Sequence, residues 1–218
     1  MLNGAVETNG DLHKYERCVP IGVFENCQTV CRNYLGFTLE RQLNGNPIGK
    51  SGVTVASGCV PRKSLTAFYP GTVYNGYDPS LSSTVANKYI YKCTDGTTFD
   101  GCNFGTSKLV FKSCSFRSRI GTQLSSDQTW LTTYPVNPLA IGQFVTIADD
   151  QDDDDEELEP NVRFHELSVP LQSFPPSLLR YIPNVKYQDD QTATLKLLLL
   201  VSINDIEAGE QLIAESRQ

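Results

Sequence analysis

The alternation of apolar and polar residues predicts a chain built mainly from short strands. Val53 and Val55 alternate with small or polar neighbours, and residues 65–69 form a second apolar run beyond Gly58 and Pro61. Runs of this length, bounded by Gly and Pro, are typical of strands separated by turns. We therefore predict that these two runs pair as a β-hairpin that opens the fold.

Further strands are predicted along the rest of the chain. Asp95-Gly96 is a common two-residue hairpin turn, and it lies between two runs that carry aromatic and β-branched residues. The longest apolar run, residues 195–203, is about half the length of a membrane-spanning helix, so it predicts a buried strand. The other predicted strands are residues 88–93, 97–99, 107–112 and 162–167.

Three short helical segments are predicted. Within residues 21–43 the apolar residues have helical spacing and Gly36 ends the run, which predicts an amphipathic helix that packs on the core. Asn137-Pro138 is an N-cap and first-turn pair, and the helix that it opens is expected to bury Leu139, Ile141 and Phe144. A third helix begins at Pro175-Pro176 and ends before Pro183.

These elements predict a mostly β fold with short helices, of the α+β class. No internal repeat or long linker divides the succession, and 218 residues suffice for one domain with a sizeable core. We predict an N-terminal extension at residues 1–43, which contains the first helix, and one main domain at residues 44–218.

The acidity of the chain is concentrated in one segment. The net charge is -7, and residues 149–157 alone contain eight of the 25 acidic residues. The other 17 acidic residues are balanced by 18 basic residues, so the rest of the chain is nearly neutral. A body without a basic face gives little support for nucleic-acid binding through phosphate contacts. The acidic residues of the segment are Asp149, Asp150, Asp152, Asp153, Asp154, Asp155, Glu156 and Glu157.

Two interpretations of this acidic segment stay open. It lacks the central Gly and the alternating oxygen ligands of a calcium-binding loop. A block of like charges is either a solvated, self-repelling loop or a segment that contacts a partner. If it contacts a partner, that partner is expected to be a protein rich in Arg or Lys, or a cation.

The cysteine pattern predicts reduced thiols. The chain contains seven cysteines at irregular spacing, and its first residues do not resemble a secretory signal or presequence. Both features favour a reducing intracellular compartment, and nucleus, cytosol and mitochondrion all remain open. Cys27 and Cys31 lie downstream of Cys18, but no matching second pair follows, so no metal site is predicted. His13 and His165 have no ligand-spaced partner. Hydrolase, phosphate-loop and dinucleotide motifs are absent from the sequence.

An ordered set of short blocks resembles the SET domain family, and within it the SET domain-containing protein 9 group. Together the blocks span about residues 35–213, and their order makes the resemblance more specific than any single block. Residues 206–212, Ile-Glu-Ala-Gly-Glu-Gln-Leu, are similar to the Ile-x-x-Gly-Glu-Glu-Leu closing strand of that family. The blocks are residues 68–74, 93–96, 100–108, 113–114, 117–121, 126–132 and 137–143.

The resemblance implies a SET-like fold with a C-terminal closing strand, and the activity of a protein-lysine methyltransferase. Such an enzyme aligns S-adenosylmethionine with a neutral lysine amine for in-line transfer of the methyl group. In the family a Gly-x-Gly strand approaches the donor, an Asn-His pair holds it, and a Tyr after the closing segment orients the amine.

This chain departs from the family at each of those three places. Gly52 matches the second glycine, but Lys50 falls on the first. Only Pro160-Asn161-Val162 matches the end of the Asn-His segment, and no Tyr or Cys-rich segment follows Leu212. Tyr69 corresponds to a Tyr that the family carries beside the site, although we expect it to be a core anchor.

We therefore predict a non-catalytic SET-fold protein without a cofactor, which serves as a structural or interaction subunit of a larger intracellular assembly. Its expected partners are other protein subunits, with a basic surface opposite the acidic segment. The alternative is an S-adenosylmethionine-dependent protein-lysine methyltransferase with Tyr69 in the catalytic site and Gly52 and Asn161 at the cofactor. A third possibility is a SET fold that binds the donor as a structural ligand.

Overall fold

The computed structural model describes residues 21–42, 52–78, 87–120, 123–124, 126–148, 158–188 and 194–216. Within these ranges three α-helices are α1 (Ile21–Leu35), α2 (Gly105–Arg117) and α3 (Pro176–Leu179). The strands of the first half are β1 (Phe37–Gln42), β2 (Gly52–Val60), β3 (Leu65–Tyr69), β4 (Gly71–Tyr74), β5 (Ile90–Lys92), β6 (Thr98–Asp100), β7 (Arg119–Ile120) and β8 (Gln123–Leu124). Those of the second half are β9 (Thr146–Ile147), β10 (Val162–Pro170), β11 (Asn184–Lys186), β12 (Thr194–Ser202), β13 (Ile206–Glu207) and β14 (Ile213–Ala214).

The predicted fold class is confirmed, because short strands dominate and the helices are few. The strand orders are β1-β2-β13, β3-β12-β10-β14-β9, β11-β4-β6-β5 and β7-β8. The main hydrophobic core lies between the first three of these sheets and contains Val53, Val55 and Tyr69. No helix among the described residues is long and apolar enough to cross a membrane.

The prediction of an opening hairpin is wrong, although both of its strands exist. β2 pairs antiparallel with β1, so that Gly52 lies opposite Gln42, while β3 pairs with β12. After β2 the backbone amides of Lys63 and Ser64 donate to the carbonyl and hydroxyl oxygens of Ser202, at 3.0 and 2.9 Å. These bonds attach the turn to the end of β12, and the chain therefore enters a second sheet instead of folding back on β2.

The predicted hairpin at Asp95-Gly96 is confirmed. β5 and β6 pair antiparallel, and Gly96 has a φ of +83°, a conformation that favours glycine. The Asp95 carboxylate accepts the amide of Thr97 at 2.9 Å, which closes the turn.

The strand predicted at residues 107–112 is instead part of helix α2. Buried residues occur at Phe111, Cys114 and Ser115, the i, i+3, i+4 spacing of one helical face. Phe111 packs edge-on against Trp130, with ring centroids 4.9 Å apart. A helix places all three of these side chains on one face, whereas a strand, with alternating side chains, would turn one of them to the opposite face.

Helix α1 forms as predicted and is followed by Gly36 with a φ of +85°. Its packing is only partly as expected. Phe24, Cys27 and Cys31 are half-buried, whereas Val30 is 54% exposed and Tyr34 is 85% exposed. The helix therefore buries a narrow stripe, because it packs on the edge of the β1-β2 sheet and not on the centre of the core.

Later elements follow the predictions closely. β10 and β12 pair without a break from Val162 opposite Ser202 to Pro170 opposite Thr194, and α3 forms after Pro175. The buried residues expected after Pro138 are buried, but the only helical part is a 3-10 turn at Gly142–Phe144. The three buried residues are Leu139, Ile141 and Phe144.

The segment after β13 passes between the sheets. The amide of Leu212 donates to Val53 at 2.8 Å on one side, and β14 runs parallel to both β9 and β10 on the other. This closing segment therefore connects the sheet that contains Gly52 with the sheet that contains β10.

Candidate functional site

The closing segment brings Gly52 and Gln211 into contact. Thr54, two residues after Gly52, forms an isolated antiparallel bridge with Gln211. The side-chain amide of Gln211 extends over Gly52, and a Cβ at residue 52 would overlap its nitrogen and lie 3.0 Å from its carbon. The same nitrogen donates to the hydroxyl oxygen of Thr146 at 2.7 Å. Gln211 thus covers the side of Gly52 that the missing side chain leaves open.

Asn161 binds the same segment through both the nitrogen and the oxygen of its side-chain amide. Its amide nitrogen donates to the carbonyl oxygen of Gln211 at 2.8 Å, and its amide oxygen accepts the backbone amide of Ile213 at 2.8 Å. Its backbone amide also donates to the carbonyl of Ile213 at 2.9 Å. The side chain of Asn161 therefore anchors the closing segment.

These contacts bring together both residues that the resemblance assigns to the methyl donor. Gly52 and Asn161 each contact Gln211, one through its side chain and the other through its backbone. The free face of the glycine and the amide of the asparagine are thus both engaged by protein atoms. In this arrangement the side chain of Gln211 occupies the open face of Gly52.

A cation is supplied by the strand paired with β2. Arg41 pairs with Val53, next to Gly52, and its guanidinium carbon lies 3.4 Å from the ring centroid of Phe144. Burial lowers the pKa of Arg41, while the neighbouring Tyr89 opposes this shift.

Tyr69 lies in the core. It is 1% exposed, and its hydroxyl donates to the carbonyl oxygen of Tyr89 at 2.8 Å. Its ring also lies 6.1 Å from Phe164 in an edge-on arrangement and 6.3 Å from Tyr91. These contacts give Tyr69 the packing role that we expected for it, with a buried hydroxyl that already has a partner.

A cleft of about 340 Å³ opens on the far side of Tyr91 and Phe164. The rings of these two residues lie 4.7 Å apart at an angle of 43° and form an aromatic wall. Glu166 is oriented by Thr94, whose amide and hydroxyl donate to its two oxygens at 3.0 and 3.1 Å. Aromatic faces beside carboxylates favour a cation. The lining residues are Tyr91, Lys92, Cys93, Thr94, Phe164, Glu166, Glu215 and Ser216.

Cys93, Asp95 and Glu166 form the one group of possible metal ligands among the described residues, with ligand atoms within 4.8 Å of one another. Asp95 forms an ion pair with Lys196. Partial burial by itself would raise the pKa of Asp95, but hydrogen bonds from Lys196 and Thr97 outweigh this effect and lower the pKa to about 2. Burial, followed by the charges of Glu166 and Asp95, raises the pKa of Cys93 to about 12. The protonated thiol and the paired carboxylates are poor ligands for a metal ion.

A separate buried carboxyl, Asp127, lies close to Cys27 of helix α1: burial is the larger cause of the raised pKa of that thiol, and Asp127 helps to raise it. Asp127 is 3% exposed, and one of its oxygens accepts the amide and hydroxyl of Thr129 at 2.7 and 2.6 Å, while the other has no partner among the described residues. Burial raises the pKa of Asp127 to about 6, although the hydrogen bonds from Thr129 oppose this shift.

Several of these residues were not predicted from the sequence. The closing motif has Gln211 where the family pattern has its second Glu, and that exchange was the available signal for its new contact. The cleft gave no comparable signal, because Tyr91 and Phe164 come from strands that are far apart in the sequence and meet only through the sheets. Lys50 and the acidic segment at residues 149–157 lie outside the described residues.

Comparison with known proteins agrees with these features. The chain is 37% identical over 180 residues to SET domain-containing protein 9 of Homo sapiens and, over the same number of residues, to the protein of that name from Pongo abelii. The matched region is 83% of this chain in both cases, but only 58% and 63% of the two relatives. No protein-family model matches the chain.

Proposed function

This chain belongs to the SET domain family, and from that premise we propose that it is a non-catalytic member that acts as an interaction or structural subunit of a larger intracellular assembly. The closing segment, the β10-β12 pair and the strand that begins at Gly52 keep the scaffold of the fold. What the scaffold offers to a partner is its surface, because both residues expected to contact the methyl donor contact Gln211 of the closing segment instead.

The contact between Gln211 and Gly52 carries the proposal. A glycine at the donor site is useful only if its open face is available to the donor, and here that face is covered by an amide held by Thr146. Asn161 has no free side-chain group to replace this lost contact, since both ends of its amide bind the closing segment. Accordingly, no methyl-transfer step is assigned to these residues.

The cleft beside Tyr91 and Phe164 supports binding of a basic side chain without its modification. Two carboxylates, Glu166 and Glu215, line it together with the two rings, whereas Lys92 is the only cation among the lining residues that the structure describes. Burial of a Lys or Arg head group against such a wall is worth roughly 0.5 to 2 kcal/mol per cation–π contact. The same chemistry applies to the acidic segment, for which a basic protein surface is the expected partner.

The second candidate is a protein-lysine methyltransferase that uses S-adenosylmethionine. The observation that favours it is the cleft itself, because its aromatic and acidic lining is suited to a lysine side chain. In that case Gln211 would have to leave Gly52 when the donor binds, and its bond to Thr146 would break.

Simultaneous measurement of peptide binding and methyl transfer separates the two candidates. A fluorescein-labelled peptide that contains several lysines is mixed with the chain and with S-adenosylmethionine labelled in its methyl group. We expect binding, seen as a rise in fluorescence anisotropy, without incorporation of label. The variant Glu166→Gln should weaken binding, while Glu40→Gln, an exposed residue on β1, serves as the matched control.

Incorporation of label into the peptide by the wild-type chain would establish the second candidate and refute the first. Binding that is equal for the wild type and for Glu166→Gln would remove the cleft from the account, without affecting the conclusion about Gly52.

A further inference from the structure

The cleft beside β5 and β10 offers an aromatic wall and not an aromatic cage. The rings of Tyr91 and Phe164 lie 4.7 Å apart at an angle of 43°, a separation at which two rings contact each other directly. A cation therefore has no room between them. Tyr69 is 1% exposed and packs behind both rings, 6.1 Å from Phe164 and 6.3 Å from Tyr91. A ligand in the cleft thus contacts one side of an aromatic surface that the core supports from the other side.

The shape of this wall favours a planar cation over a compact one. A guanidinium group can lie flat on an aromatic ring while its N–H groups point outward in its own plane. The N–H groups of a lysine ammonium point in three directions, so on a one-sided wall some of them face the rings, which are weak acceptors. A methylated ammonium is held best by aromatic rings that surround it. The wall therefore matches arginine better than lysine or methylated lysine.

Two carboxylates of the same cleft can accept the N–H groups of a guanidinium. Thr94 fixes the first, Glu166, because its amide and hydroxyl donate to the two carboxylate oxygens at 3.0 and 3.1 Å. Each of these oxygens keeps a second lone pair for a ligand. The second, Glu215, lines the cleft and is exposed, so it is free to turn toward an incoming charge. A group with five N–H donors can bind both carboxylates at once.

The described lining of the cleft also carries excess negative charge. Its charged side chains are Glu166, Glu215 and Lys92, two acids against one base. Cys93 adds no charge near neutral pH, because burial, followed by the charges of Glu166 and Asp95, raises the pKa of its thiol to about 12. Lys92 is exposed, so solvent and salt screen its repulsion of a second cation. The lining therefore attracts a basic side chain.

We propose that the cleft binds the side chain of an arginine of a partner protein, with the guanidinium stacked on the wall of Tyr91 and Phe164 and its N–H groups donating to Glu166 and Glu215. This inference rests on the proposed function, which assigns a basic side chain to the cleft, and it specifies which basic side chain. No covalent bond is made or broken, so the cleft recognises its partner without modifying it.

Three fluorescein-labelled peptides of equal length test the preference. The first contains several arginines among glycines and serines. The second has lysine at each of those positions, which keeps the charge, and the third has citrulline, which keeps the planar shape and loses the charge. Fluorescence anisotropy with the full chain gives the dissociation constants. Because the arginine and lysine peptides carry equal charge, their long-range attraction to other acidic parts of the chain is the same.

The arginine peptide is expected to bind at least about fivefold more tightly than the lysine peptide, and at least about tenfold more tightly than the citrulline peptide. Phe164→Leu should make the affinities for arginine and lysine nearly equal, because it removes a ring and keeps an apolar side chain. Its matched control is Phe104→Leu, a phenylalanine outside the cleft that is 60% exposed, which should leave the preference unchanged.

A second variant keeps the test decisive if Phe164→Leu does not fold. Glu215→Gln changes an exposed residue, and it should weaken binding of the arginine peptide by about threefold or more. Glu40→Gln, an exposed carboxyl on β1, is its control and should leave binding unchanged.

Equal affinity of the wild-type chain for the arginine and lysine peptides would overturn this inference and leave the proposed function intact. If neither peptide binds a chain whose circular dichroism shows it to be folded, the cleft has no part in the proposed function either. Binding of the citrulline peptide as tight as that of the arginine peptide would show that charge is not recognised and would overturn the inference. An arginine preference that survives both Phe164→Leu and Glu215→Gln would overturn it by assigning the preference to another surface.

Discussion

The side-chain amide of Gln211 lies against Gly52, in the space that a side chain at residue 52 would occupy. This contact joins the first residue of β2 to the closing segment, and it continues to Thr146 through a hydrogen bond of 2.7 Å. A glycine that is expected to admit a cofactor is thus a packing position for another part of the same chain.

Gly52→Ala should destabilise the fold by about 1 kcal/mol, the usual value of one intramolecular hydrogen bond. The new methyl group displaces the amide of Gln211 and breaks its bond to Thr146. Urea unfolding of the wild type and the variant measures the loss. In a Gln211→Ala background the same substitution should cost much less, and strictly additive costs would mean that the two residues do not interact.

Asn161→Ala should destabilise the fold by about 2 to 4 kcal/mol, because the amide of Ile213 and the carbonyl of Gln211 each lose a partner. Hydrogen exchange at residues 212–214 should accelerate more than exchange in β12. Asn161→Asp keeps an acceptor for Ile213 but loses the donor to Gln211, so its effect should be smaller than that of Ala. Unchanged exchange in the alanine variant would refute the anchoring role.

Stability should decrease as pH rises through the titration of Asp127. Its pKa in the folded state is raised to about 6 by burial, whereas an unfolded Asp titrates near 3.9. The folded state therefore holds the proton more tightly, and this contribution is complete below about pH 4 and lost by about pH 7. The loss is on the order of 2 to 3 kcal/mol.

Asp127→Asn removes this titration and should flatten the dependence of unfolding free energy on pH. The measurement is urea unfolding of both proteins at several pH values between about 4 and 8. Glu40→Gln, which changes an exposed carboxyl, is the matched control. A pH dependence that survives unchanged in Asp127→Asn would show that another group is responsible.

The thiol of Cys93 should react slowly with iodoacetamide near neutral pH. Burial, Glu166 and Asp95 together raise its pKa to about 12, so the reactive thiolate is scarce. Glu166→Gln removes one of these charges and should speed alkylation severalfold, as measured by mass spectrometry of the Cys93 peptide. An equal rate in the variant and the wild type would contradict the electrostatic coupling across the cleft.

The sequence predicts local structure well where the signal is local. The turn at Asp95-Gly96 needs only two residues to specify a hairpin, and the long apolar run at β12 has no alternative to a buried strand. The helix after residue 21 was also predicted, with its end at Gly36. In each case the information lies within a few neighbouring positions.

Predictions that depended on distant partners were less successful. β2 pairs with β1 and β3 pairs with β12, and the turn between β2 and β3 is held by Ser202, which lies about 140 residues further along the chain. Helix α2 contains Val110 and Phe111 side by side, which favours a strand locally, and only packing against Trp130 makes the helical spacing necessary.

The candidate site shows the same division. Gly52 and Asn161 were found through the motifs of the family, and the structure places both against Gln211. The role of Gln211 could be recognised only from the path of the closing segment between two sheets. The cleft could not be predicted, because it forms where β5 and β10 meet and no short sequence motif encodes that contact.

Calorimetric titration of the folded chain with S-adenosylmethionine, repeated with S-adenosylhomocysteine, tests the central claim most directly. If Gln211 and Asn161 close the donor site, neither ligand will produce saturable heat, and neither will raise the unfolding temperature. Saturable binding of either ligand by the wild-type chain would contradict the claim, and would require Gln211 to leave Gly52 in the bound state.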